Sequence, residues 1–485
     1  MNRRRITAAA LLASLTAGCA VGPDFHPPGA PAASGYTPRP ITATAAAGSG
    51  PLGAAQVLTP GGAVAADWWA QFRSPVLDAL IAAALAQNSD LAAAQAAVRV
   101  ARESWLAQRG VLFPQIDAGA STSRNKSSNY LAPVPNVPSS IFSIQTAQVN
   151  VGYTLDLFGG NRRVIEQSRA QYDAQRFQAE ATRITLINTV AATAFQEAAL
   201  RAEVEAQTQI IGEEHALLAI LERQRDVGQA AGADVLAQQA ALAQAEAGLP
   251  PLQKALAQQQ DLIAYLTGRS PAQVAGGEEL DLAGLALPVA LPLTLPAALV
   301  RQRPDIRAAE ANLHAASAAV GVALAARLPG ITLSASGGGV SNSWSNLLAA
   351  PNTFWSLGAG LTQPIFEGGT LLHRQRAAEA ALDAAKAQYR SAVLAAFQNV
   401  ADTLHALALD ADALAADQAA RQSAAASLAV AERQYRDGAI PFAGVLAAQQ
   451  TLAQARQTEL QAEAARLTDT AALFQALGGG WNSGG

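Results

Sequence analysis

The sequence predicts a mainly α-helical protein with a membrane β-barrel, in which long helical hairpins sit beside four short strands. Three observations predict it. Two stretches, Asn161–Val227 and Thr370–Asp437, are free of proline and read as helix from end to end. Four segments alternate apolar and polar residues with the period of a strand. The whole arrangement is also written twice along the chain.

Composition supports the helical part. The chain has 485 residues and a net charge of −4, with only 5% aromatic and 14% charged residues. Alanine fills 117 positions, and alanine has the best intrinsic helix propensity because it loses no side-chain entropy. Small side chains also let helices approach closely. A compact soluble domain carries about 25% charged residues, so the surface here is thin in charge. The near-neutral balance gives no case for nucleic-acid binding. One cysteine excludes an intrachain disulfide framework and a cysteine zinc cluster.

The N-terminus reads as an export signal over residues 1–18. Arg3, Arg4 and Arg5 precede the apolar run Ile6–Leu15, and Ala17-Gly18 supplies small residues at a cleavage site. The only cysteine, Cys19, follows at once and resembles the acceptor of a lipobox, the residue that takes a diacylglyceryl group; the alternative reading is an ordinary secretory signal with an incidental cysteine. Thr16 departs from the leucine usual three places before it. Ala20 in place of Asp implies delivery to the outer membrane. The residues flanking the arginines do not fit a twin-arginine signal.

Repetition organises the rest. Glu222-Arg223-Gln224-Arg225-Asp226-Val227-Gly228 is echoed by Glu432-Arg433-Gln434-Tyr435-Arg436-Asp437-Gly438, an offset of 210. Leu157-Phe158-Gly159-Gly160 and Ile365-Phe366-Glu367-Gly368-Gly369 keep nearly the same spacing, as do Leu112-Phe113-Pro114 and Arg327-Leu328-Pro329. Accordingly, an extended N-terminal segment (19–73) precedes a first repeat (74–270), a Pro-rich linker (271–293), a second repeat (294–477) and a Gly-rich tail (478–485). The linker reading rests on Pro288, Pro292 and Pro296, which rule out a membrane-spanning helix over Leu282–Val300.

Within each repeat a first helix (Val76–Val111; Asp305–Leu328) ends at a proline. Two strands, a Gly-Gly pair and the long helix follow. A glycine turn then leads to a return helix (Asp234–Leu266; Phe442–Leu477). Pro250-Pro251 predicts a break or kink in the first return helix. Each long helix would extend on the order of 100 Å at 1.5 Å per residue, so it packs side-on. Ile165, Tyr172, Ala179, Leu186, Thr193 and Leu200 recur every seven residues along one seam, and Tyr389, Val393, Ala396, Val400 and Leu407 mark another.

The strands carry the membrane signal. In Gln145–Phe158, Ala147, Val149, Val151, Tyr153, Leu155 and Leu157 share one face, with Thr146, Gln148, Asn150, Gly152, Thr154 and Asp156 on the other. Phe354–Thr362, Gln115–Thr122 and Ile331–Gly337 alternate likewise. A soluble sheet resting on a helical core would alternate in the same way. Export and helices too long for one core favour a barrel, and because four strands cannot close one, several chains must contribute.

Three segments resemble a known family: Cys19-Ala20-Val21-Gly22-Pro23-Asp24-Phe25, Asp67-Trp68-Trp69-Ala70-Gln71-Phe72, and Leu295-Pro296-Ala297-Ala298-Leu299-Val300-Arg301-Gln302-Arg303-Pro304-Asp305-Ile306-Arg307-Ala308-Ala309-Glu310. The chain resembles the TolC-like outer-membrane factors of bacterial tripartite (RND-type) efflux pumps, in their OprM-like lipoprotein branch. The resemblance covers nearly all the chain after the signal. It implies a homotrimer with a shared twelve-stranded β-barrel and a trimeric periplasmic α-barrel. It implies lipidation at Cys19, and partners in a periplasmic adaptor protein and an inner-membrane pump. Gly228 and Gly438 match the periplasmic tip, where the adaptor docks and the pore closes. Asp234 matches an acidic residue after the first turn, whereas Gly444 and Ala447 stand where aspartates often follow the second. Arg225, Asp226, Asp234, Arg436 and Asp437 are the gate candidates; a solvated helix end would carry the same charges.

No catalytic, cofactor-binding or metal constellation emerges. His26, His215, His314, His373 and His405 lack zinc spacing, and neither GxxxxGK nor GxSxG occurs. Asp67-Trp68-Trp69 reads as an anchor of the N-terminal segment on the helices. Two readings remain, a passive efflux conduit and a pore-less tethering coiled-coil lipoprotein of the outer membrane.

Overall fold

The computed structural model describes residues 20–29, 31–48, 50, 52–126, 141–273 and 279–481. The elements are β1 (Val57–Pro60), α1 (Pro75–Gln87), α2 (Ser89–Arg109), β2 (Gln115–Lys126), β3 (Ile141–Leu155), α3 (Gly160–Asp226), α4 (Gly232–Leu266), β4 (Ala290–Leu293), α5 (Pro296–Gln302), α6 (Pro304–Ala325), β5 (Gly330–Ser341), β6 (Thr353–Thr362), α7 (Thr370–Arg436) and α8 (Phe442–Ala476). Short 3-10 turns join some of them. The order helix–helix–strand–strand–long helix–return helix occurs in both halves. The long helices are 67 residues each and the return helices 35 each.

One expectation is corrected. The first helix is not continuous over Val76–Val111: it breaks at Asn88 with a bend of 43°. Asn88 holds an extended backbone, and its Oδ1 accepts from Leu91 N at 2.9 Å, starting a new helix as an N-cap. In the second half α5 precedes α6, split at Arg303, which Pro304 holds out of the helical region. The break or kink expected at Pro250-Pro251 is not a break, because α4 runs through both residues. Within the Pro-rich linker, Ala290–Leu293 is extended and forms a parallel pair with Val57–Pro60, and just beyond it Pro296 starts α5. A helix that does hold an apolar 18-residue window long enough to cross a membrane is α7, with mean hydropathy 1.3 in that window.

Packing divides the chain into two compact units. One comprises Met1–Pro27, Val98–Gln175 and Ala309–Tyr389; the other comprises Pro28–Ala97, Arg176–Ala308 and Arg390–Gly485. The first unit holds an antiparallel sheet of order β2-β3-β5-β6. Its register sets Ile116 opposite Val151, Ala118 opposite Val149, Val151 opposite Ala335 and Ala335 opposite Leu357. Residues expected on one face of four separate strands thus align into one apolar face. Asp117, Asn150, Ser336 and Ser356 are opposite one another in turn and form the polar face.

The second unit contains the β1–β4 pair and the hairpin tips. Its core is aromatic where the N-terminal segment docks. Trp68 and Phe72 are fully buried; Trp68 stacks on Phe474 at 5.0 Å and Phe72 meets Phe195 at 4.8 Å. The anchoring read from Asp67-Trp68-Trp69 is what the structure shows. Of the seam residues, Leu186, Thr193, Leu200, Val393, Ala396, Val400 and Leu407 are buried.

Candidate functional site

Three places carry the residues of interest: the strand sheet, the hairpin tips and the junction after Cys19. In the sheet, the apolar face remains open to the surroundings. Trp355 and Leu357 are 78% and 75% exposed, and Ile116, Val149 and Leu361 are exposed beside them. A face this apolar and this open is stable in hydrocarbon and costly in water. Neither β2 nor β6 has a second strand partner among the described residues, so both edges offer unpaired backbone groups.

At the tips, α3 and α7 end in the same way. Gly228 N donates to Arg225 O at 2.9 Å and Gln229 N to Gln224 O at 2.7 Å; Gly438 N donates to Tyr435 O at 3.0 Å and Ala439 N to Gln434 O at 2.8 Å. Both glycines are left-handed, with φ of 75° and 74°, the geometry of a Schellman cap. A Cβ at either would meet nothing within 4 Å, so backbone conformation alone demands glycine there.

The structure joins the two tips through apolar packing. Leu221, Val235, Ala431, Phe442, Val445 and Ala448 form one buried cluster, and Tyr435 lies on it with its ring 5.3 Å from Phe442. The gate candidates are not brought together as a set. Arg225 pairs with its neighbour Asp226 at 2.8 Å, and this bond raises the guanidinium pKa. Arg436 Nε donates to Glu432 O at 3.3 Å, and Asp437 N continues the helical ladder to Arg433 O. No ion pair links one tip to the other among the described residues. Asp234 is the exception that reaches across: burial first, and then the Asp234 charge, raise the pKa of Tyr435. Where aspartates could follow the second turn, a Cβ on Gly444 would stand 3.0 Å from Ile440 Cδ1. In the first hairpin, buried Gln238 on α4 donates to Glu214 O of α3 at 3.1 Å and to the Glu214 carboxylate. Nothing in the spacing of Gln238 singles it out.

Cys19 lies outside the described residues, but the segment after it is held firmly. Arg163, 4% exposed, donates through Nε to Val21 O at 3.1 Å. Its Nη2 reaches Ala20 O, Gly22 O and Asp24 Oδ1 at 3.4, 3.3 and 2.7 Å, and its Nη1 reaches Glu166 Oε2 at 2.8 Å. Burial works against the Arg163 charge, but the bonds from Asp24 and Glu166 outweigh it and raise its pKa. Glu166 also meets His314 Nε2 at 2.8 Å, and Phe25 stacks on the His314 ring at 4.3 Å. Gly22 crosses Gly321 so closely that a Cβ on Gly22 would lie 2.4 Å from Gly321 Cα. The sequence showed Cys19 through Phe25 as a motif, while its receptor, Arg163 with Glu166, His314 and Gly321, is scattered and was missed.

A sheet with one open apolar face, joined to helical hairpins far longer than any globular core needs, defines a channel-type protein of the outer membrane. The chain belongs to the outer membrane efflux protein family, whose pattern it matches over residues 80–269 and again over 295–479. It is 32% identical to the pyoverdine export outer membrane protein OpmQ of Pseudomonas putida, over 86% of this chain and 88% of that protein. It is 31% identical to the toluene efflux pump outer membrane protein TtgC of Pseudomonas putida, over 97% of this chain and 95% of that one. Among solved structures, the outer-membrane channel OprN superposes with a TM-score of 0.84 at 28% identity, covering 96% of this chain and all of that one. The open-state MtrE channel of Neisseria gonorrhoeae gives 0.79 at 25% identity, covering 95% and 98%. The chain is therefore an outer-membrane channel component of an efflux or export system, and the pore-less tether loses its support.

Proposed function

We propose that three copies of the chain assemble into one lipid-anchored channel. Each copy contributes four strands to a twelve-stranded barrel, and the helical hairpins of the three continue the conduit into the periplasm. The observation that carries this is the sheet itself: four strands, one apolar face and two unpaired edges. Four strands fall short of the eight that small membrane barrels need, and β2 of one copy pairing with β6 of the next satisfies both edges at once. Cys19 carries the lipid, and the Arg163 grip on residues 20–24 fixes where it enters the membrane.

The tips around Gly228 and Gly438 receive a periplasmic adaptor, which couples the conduit to an inner-membrane pump. Arg225, Asp226, Asp234, Arg436 and Asp437 ring the pore end in the trimer. Because the second hairpin carries Gly444 and Ala447 in place of aspartates, its gate relies on Asp234 and Tyr435. Cross-linking of the full chain in isolated outer membranes tests the assembly. A trimer that resists detergent and dissociates on heating is expected; a monomer that stays soluble without detergent once its lipid is removed overturns the proposal.

A further inference from the structure

A cleft of about 650 Å³ opens beside the strand–helix junction of the first unit. Arg109, Arg162 and Arg169 line it together with Trp105, and its acidic members are Glu166 and Asp173. Glu166 is already engaged by Arg163 and His314, each at 2.8 Å. Arg162 is itself paired with Asp156 at 3.3 Å, so the positive character of the cleft rests on Arg109 and Arg169. The Trp105 ring stacks on Tyr172 at 5.8 Å with the planes only 6° apart. The Arg109 and Arg169 guanidinium carbons stand 5.5 and 5.9 Å from its centre. Neither Arg109 nor Arg169 has a carboxylate partner among the described residues.

Position in the chain gives the cleft its meaning. Arg109 closes α2 just before the exposed pair Leu112 and Phe113 and the start of β2. Arg162 and Arg169 lie in the first three turns of α3, which follows β3 and the exposed Leu157. Seven helical residues separate these two arginines by about 10 Å, the depth of a headgroup layer rather than of the hydrocarbon. Tryptophan with arginines at this level is the composition that membrane interfaces select, and basic pockets there hold anionic headgroups. Arginine is suited to a phosphate because its planar fork can bind two oxygens at once.

We propose that this cleft binds the phosphate of an anionic phospholipid from the periplasmic leaflet. Arg109 and Arg169 clasp the phosphate over the Trp105 face, and the acyl chains run along the exposed apolar residues at the strand ends. The proposal rests on the reading that the strands enter the membrane.

The test uses the full chain in nanodiscs of equal phosphatidylglycerol and phosphatidylcholine, with retained lipid read by native mass spectrometry. The wild type is expected to retain phosphatidylglycerol preferentially. Arg109→Gln with Arg169→Gln should lower that preference about thirtyfold, the effect of two interfacial charges, while Arg109→Lys with Arg169→Lys should keep most of it. A second readout avoids any folding ambiguity: brominated phosphatidylglycerol should quench the Trp105 fluorescence, taken as the difference from Trp105→Phe, more than brominated phosphatidylcholine does. Equal retention of both lipids by an inserted wild-type chain overturns this proposal alone. Complete displacement by inorganic phosphate also overturns it, by assigning a free-anion site. A chain that stays outside the disc overturns the membrane reading and this proposal with it.

Discussion

Asn88 and Arg303 stand at equivalent places in the two halves and do the same work. Asn88 Nδ2 donates to Leu266 O at 3.0 Å, and Arg303 Nη1 donates to Ala476 O at 2.9 Å. Each residue interrupts the first pair of helices in its half and satisfies the last carbonyl of the return helix in that same half. Such terminal carbonyls have no intrahelical partner. Asn88→Ala removes this bond and the N-cap of α2 together, and should destabilise the protein by about 2 kcal/mol. Arg303→Met should cost about as much, since it also leaves Asp305 without the two bonds it accepts from the guanidinium. The two share no partner, so their effects should add in thermal unfolding of the detergent-solubilised protein.

Arg163 carries the attachment of the N-terminal segment. Arg163→Ala leaves the carbonyls of Ala20, Val21 and Gly22 without their donor and should cost about 3 kcal/mol. The readout is local: amide exchange over residues 20–25 should quicken strongly while the α8 core around Phe474 stays protected. Unchanged exchange in the segment would show that the clamp does not hold it.

Asp410 on α7 lies beside Asp469 on α8. Burial first, then the bond and charge of Asp469, push the Asp410 pKa up to about 7, while Arg466 opposes the shift. Arg466 is fully buried and donates Nη2 to Ala54 O at 2.7 Å; burial lowers its own pKa. The sign follows from linkage. Asp410 is raised above its ordinary value of 3.8, so the folded state holds a proton that the unfolded state has lost. Stability should be greatest below that ordinary value, fall as pH rises toward about 7, and level off above. Asp410→Asn should flatten this slope in melting profiles across the range.

Gly228 and Gly438 hold left-handed backbones in open space, so replacement strains the chain without a clash. Gly228→Ala and Gly438→Ala should each cost about 1 kcal/mol. Gly444→Asp is different in kind, since its Cβ would press on Ile440. It should perturb the packing of Phe442 and Val445, read as a change in accessibility at the tip rather than in global stability.

Legibility in the sequence tracked the range of the interaction. The strands and long helices were readable because their signals are local: alternation around Val149–Leu155, and the absence of proline through α3 and α7. The β1–β4 pair was not, because Val57–Pro60 is only four residues and its partner lies far away at Ala290–Leu293. At Pro250-Pro251 the helix does not break, since α4 runs through both residues. Gln207 on α3 donates to Ala245 O at 2.7 Å shortly before the prolines and ties α4 to α3 there, a long-range contact that no local rule contains. At the tips the glycines were legible as turn formers, but the influence of the Asp234 charge on Tyr435 depends on how two hairpins lie together. The Arg163 clamp gathers residues 20–25, 163, 166, 314 and 321, and no window of sequence contains them.

The central claim is that the sheet lies in the membrane with one face to lipid and the other to a water-filled lumen. It is tested most directly by single thiols at successive positions of β3, from Val149→Cys to Thr154→Cys, in lipid-reconstituted protein. Cys19 contributes the same background to every variant. A membrane-impermeant maleimide should label positions 150, 152 and 154 readily and positions 149, 151 and 153 poorly, with a lipid-soluble quencher showing the reverse order. Uniform labelling of all six positions from water would contradict the account.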